Sequence, residues 1–66
     1  MTIDKIRHYM SEHLFNHWTQ TVVSHQSAKE LISNAINELE SGLKNGSIPN
    51  KVEYQAELNL LKYLNR

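Results

Sequence analysis

Histidine is the first residue type here that could do chemistry: His8, His13, His17 and His25 all fall in the first 25 residues. His13 and His17 stand four apart, a spacing that puts both rings on one face of a helix, where they could share a metal ion. The pair is half a site, because zinc takes three or four protein ligands. The local order is Glu12-His13 followed by His17, not the His-Glu-x-x-His arrangement in which the glutamate serves as general base. Two partly exposed histidines near an interface are the simpler reading, and no metal ligand is assigned.

Other chemistry finds fewer candidates. The chain has no cysteine, so it has no thiol nucleophile, no thiolate metal site and no disulfide framework. Asn45-Gly46-Ser47 lacks the lysine and flanking glycines of a phosphate-binding loop. As a glycosylation sequon it would matter only on a secretory route. Glu38 and Glu40 are two apart and diverge on a helix, so they do not form an acid and base pair. A thin helical hairpin also seldom encloses the concave pocket that catalysis needs. No enzyme activity and no cofactor are expected.

Lys5, Arg7 and His8, with Tyr9 beside them, form the one basic cluster, but Asp4 and Glu12 are interspersed. Seven Lys or Arg balance seven Asp or Glu, so no excess of positive charge points to a phosphate backbone or an anionic membrane. Nucleic-acid binding is disfavoured and weak DNA binding through Lys5 and Arg7 is kept as a third reading. Phe15 and Trp18 could form an interface hot spot; anchoring the protein's own core is the favoured alternative.

These residues must be positioned by helices. The only Gly and Pro residues, Gly42, Gly46 and Pro49, lie within eight positions of one another, which predicts one decisive turn over 44–50. Before it, Phe15, Trp18, Val22, His25, Lys29, Ile32, Ile36, Leu39 and Leu43 are separated alternately by 3 and 4 residues, the repeat that keeps one stripe facing a partner helix. These nine are the candidate oligomer interface, and only His25 and Lys29 among them are polar. Both sit in Ser24–Lys29, where Ala28 is the one apolar residue. Ser27-x-x-Glu30 could cap a new helix there. Against that, the stretch has no Gly or Pro and the register runs through unbroken, so a continuous helix over 16–44 is expected. His25 and Lys29 would then act as a register device on the seam.

After the turn, Asn50-Lys51-Val52-Glu53 has the form of a capping box, and predicts a helix over 50–65. Its apolar residues cover more than one stripe, with Leu60, Leu61 and Leu64 adjoining, which implies two neighbours. Near the start, Thr2 can cap a helix over 2–14 whose face is Ile3, Ile6, Met10 and Leu14, with a break near Phe15 or Asn16. At about 1.5 Å per residue, 16–43 would be roughly 42 Å long and the last helix about 22 Å. The expected fold is therefore all-α: a single domain over 1–66, with a long central helix, a shorter N-terminal helix, and a C-terminal helix that closes an αα-hairpin. Sixty-six residues make a marginal core, so homo-oligomerisation is the expected completion. The opening MTIDKIRHYMSEH has no apolar signal segment, and no apolar run is long enough to span a bilayer, so a soluble intracellular chain off the membrane is expected.

Over residues 16–64 the chain resembles a group of small proteins encoded among the structural and assembly genes of tailed bacteriophages. The likeness lies in Asn16-His17-Trp18 at the start of a long helix, Ile36-Asn37-Glu38-Leu39-Glu40-Ser41-Gly42-Leu43 at its end, and Gln55 to Leu64 in the last helix. Members often carry Arg-Gly-x-Ile in that last helix; here the stretch is Gln55-Ala56-Glu57-Leu58, and no nucleic-acid contact carries over. The resemblance implies virion assembly or a minor capsid accessory role, in the host cytoplasm or the particle, with phage structural proteins as partners. A small regulator that binds a host protein through a helical face is the alternative.

Overall fold

The computed structural model describes residues 2–24 and 27–65. It is all-helical, with four helices among the described residues: α1 (Ile3–Tyr9), α2 (Glu12–Ser24), α3 (Ala28–Asn45) and α4 (Lys51–Leu64). None of them is long and apolar enough to cross a membrane.

Where the sequence suggested two helices before the glycine turn, there are three. The first break falls at Met10 and Ser11, not at Phe15 or Asn16. Met10 is extended (φ −125°, ψ 162°), and Ser11 starts the next helix as its cap. The Leu14 N–H donates to Ser11 Oγ at 3.2 Å and the Phe15 N–H to the Ser11 carbonyl at 3.0 Å, satisfying donors that a helix start leaves open.

The continuous helix over 16–44 is also corrected. α2 ends at Ser24 and α3 begins at Ala28, with Ser27 in a turn. His25, the first of the two polar seam positions, lies outside the described residues. The Ser27 side chain makes no cap hydrogen bond; its carbonyl accepts from the Glu30 N–H at 3.3 Å. An uninterrupted helix there would be roughly 42 Å long, whereas the folded chain, with the break in place, measures 32 Å in its longest dimension. Ser24–Lys29 has almost no apolar surface to bury, so bending there loses little. In exchange, α2 and α3 each lay an apolar face on α4.

The α3–α4 connection is built as its residues dictate. Gly46 is left-handed (φ 71°, ψ 17°), a conformation that favours glycine at a helix end. The Ser47 N–H then donates back to the Gly42 carbonyl at 3.2 Å. Asn50 caps α4: its Oδ1 accepts from the Glu53 N–H at 3.4 Å. The return bond comes from the Asn50 side-chain amide, which donates to Glu53 Oε2 at 3.0 Å; the usual box uses the backbone N–H.

The element at the centre is α4 and not the long helix, because α1, α2 and α3 all pack against it. Its breadth of apolar surface is the cause: Ala56, Leu58, Leu60 and Leu61 are all buried. The core gathers Ile6 and Met10 from the α1 end, Trp18 from α2, Ala28 and Ile32 from α3, and Ala56, Leu60 and Leu61 from α4. Ile6, Ile32, Leu60 and Leu61 are essentially fully buried, each contributing about 1.5–3 kcal/mol of transfer free energy.

Candidate interaction site

α2 carries His13 and His17 on an exposed face. Among the described residues no three His, Cys, Asp or Glu side chains are grouped so as to hold a metal ion. The His17 ring instead meets Trp18 edge to face, with centroids 5.1 Å apart.

On α1, Lys5, Arg7, His8 and Tyr9 are exposed. Arg7 lies 3.8 Å from Glu12 Oε1 and 5.4 Å from the centroid of the Phe15 ring. An exposed pair at that distance stabilises little. Glu40 is taken up by Lys62 of α4 at 3.0 Å, while Glu38 has no ion pair among the described residues.

The nine-residue stripe divides. Trp18 and Ile32 are buried in the core, and Phe15, Val22, Ile36 and Leu39 pack against it partly buried. Leu43 is half-buried and Lys29 exposed in the first turn of α3. Most of the apolar stripe thus faces the chain's own interior, centred on α4, and Lys29 stands apart from it.

What the stripe missed is the group that Trp18 was waiting for. The indole Nε1–H donates to Glu57 Oε1 at 2.7 Å, joining α2 to α4 across 39 residues of sequence. Both residues are only 8% exposed. A hydrogen bond to a charged acceptor is worth about 1.5–3 kcal/mol. The sequence held the signal: Glu57, Leu60, Leu61 and Leu64 share one helical face, so a carboxylate stands in an otherwise apolar stripe.

Trp18 and Glu57 lie at the wall of an open groove of about 650 Å³, which Leu31, Glu38 and Leu39 of α3 and Tyr54 of α4 also line. A second groove, of about 500 Å³, lies between Tyr9, Leu43 and the α4 residues Val52, Ala56 and Asn59. By helical spacing, Val52, Ala56 and Asn59 lie on the side of α4 away from Tyr54 and Glu57. The second groove is mostly apolar, although Lys51 and Gln55 also line it; the first combines aromatic residues with two carboxylates. Compared with protein-family models, curated proteins and solved structures, the chain matches none.

Proposed function

We propose that this chain is a non-enzymatic helical interaction protein that self-associates and serves the assembly of a tailed-phage particle, as a minor capsid component or accessory. The observation that carries the interaction reading is the mostly apolar groove beside Tyr9 and Val52. Tyr9 is 53% and Val52 64% exposed, and they frame a groove with Leu43 and Ala56. A contiguous apolar patch on a small protein marks a contact surface, and a 66-residue chain gains most from adding a partner's surface to its own. The resemblance of residues 16–64 supports the phage setting.

Light scattering coupled to size exclusion tests self-association. The expected mass is a multiple of the 7.7 kDa chain, and Val52→Glu, which places a charge in the groove, brings it to that of one chain. A native mass of 7.7 kDa at every concentration sinks self-association. Mass spectrometry of purified particles tests the setting: absence from both virions and precursor shells removes the assembly role.

A second reading, a regulator that binds a host protein, is favoured by the other groove, where Leu31 is 51% exposed beside Trp18. An affinity pull-down from host lysate should then yield one stoichiometric partner, and a blank counts against it.

A further inference from the structure

We propose that the Trp18–Glu57 groove is a receptor for an arginine side chain presented by a partner protein. The inference deepens the interaction reading, and rests on it, by naming the chemistry that one face recognises.

Glu57 is 8% exposed, yet the indole N–H is its single side-chain hydrogen bond and it has no ion pair among the described residues. A carboxylate this deeply buried is normally matched by a cation. Among the described residues no cation pairs with it, and it lines a groove large enough to admit a side chain. Glu38, a second carboxylate without an ion pair among the described residues, lines the same groove. The walls also include the aromatic residues Trp18 and Tyr54, the aliphatic residues Leu31, Leu39 and Ile48, and the polar Asn34.

Those walls select guanidinium over ammonium. A guanidinium is planar and weakly hydrated, stacks on aromatic rings, and offers five N–H donors that can reach more than one carboxylate. An ammonium is a compact, strongly hydrated charge that gives up more on entering an aromatic groove. Of the chain's two arginines, Arg7 lies against Glu12 and Phe15 of α2 and Arg66 lies outside the described residues; the occupant proposed is the arginine of a partner protein.

The test titrates the folded chain with N-acetyl-arginine methylamide, well past the millimolar range, while following the Trp18 indole N–H by NMR; Trp18 is the one tryptophan. The expected result is a saturable shift with the arginine compound and none with its uncharged citrulline counterpart. Glu57→Gln keeps an acceptor for the indole and should weaken binding at least about tenfold, with unchanged helicity. Should that variant unfold, Glu38→Gln, at an exposed position, should still weaken binding measurably. An absent shift, an equal response to citrulline, or unchanged binding in the folded Glu57→Gln variant overturns the proposal. So does an indole shift on concentrating the protein alone, because the occupant would then be a second copy. Oligomeric mass keeps the two proposals apart: a monomer that binds arginine refutes self-association and leaves this inference standing.

Discussion

A carboxylate buried beside a tryptophan raises the question of how much each depends on the other. Glu57 accepts from the Trp18 indole at 2.7 Å, and Trp18→Phe deletes that donor while keeping most of the ring. The carboxylate would be left buried and unpaired, so the variant should lose about 2–4 kcal/mol in urea unfolding followed by circular dichroism. Glu57→Leu extends the face formed with Leu60, Leu61 and Leu64, but orphans the indole. Combining the two removes both polar partners, and the double variant should recover at least half of the Trp18→Phe loss. The corresponding coupling energy is about 1–3 kcal/mol; additive losses would show that the bond contributes little. Trp18 was legible as a core anchor because one large aromatic in a small chain has few other places to go. Its partner was not, because periodicity identifies which residues share a face but not which helices meet.

At the scale of elements, local chemistry was readable and continuity was not. The glycine turn and the Asn50 cap are set by one or two residues each, so their positions follow from residue type: Gly46 takes φ 71° and Asn50 caps through its own side chain. The break between α2 and α3 has no glycine or proline to announce it. It comes from the competition between a straight helix and burial on α4, a tertiary effect that no window of sequence contains. Lys29 measures the difference. On a continuous seam, Lys29→Leu would fill a core position and raise stability. In the structure Lys29 is exposed in the first turn of α3, so the change in unfolding free energy should stay within about 0.5 kcal/mol. A gain well beyond that in thermal or urea unfolding would restore the seam.

For the whole molecule, the decisive quantity is how little stability 66 residues can hold. At about 0.05–0.15 kcal/mol per residue, the folded chain has roughly 3–10 kcal/mol in hand. α4 is where it is concentrated, since the three other helices all meet there and Leu60 is fully buried among them. Leu60→Ala should cost about 2–5 kcal/mol, enough to leave a measurable fraction unfolded. Association through the face of Tyr9 and Val52 would counter this by mass action. A partner at a hundred times its dissociation constant adds about 2.7 kcal/mol to the folded state. The helical circular dichroism signal of Leu60→Ala should therefore rise as the protein is concentrated, and Val52→Glu added to it should abolish that rise without touching the core. A Leu60→Ala signal independent of concentration would mean that the chain stands alone on α4, with its apolar groove left to some other partner.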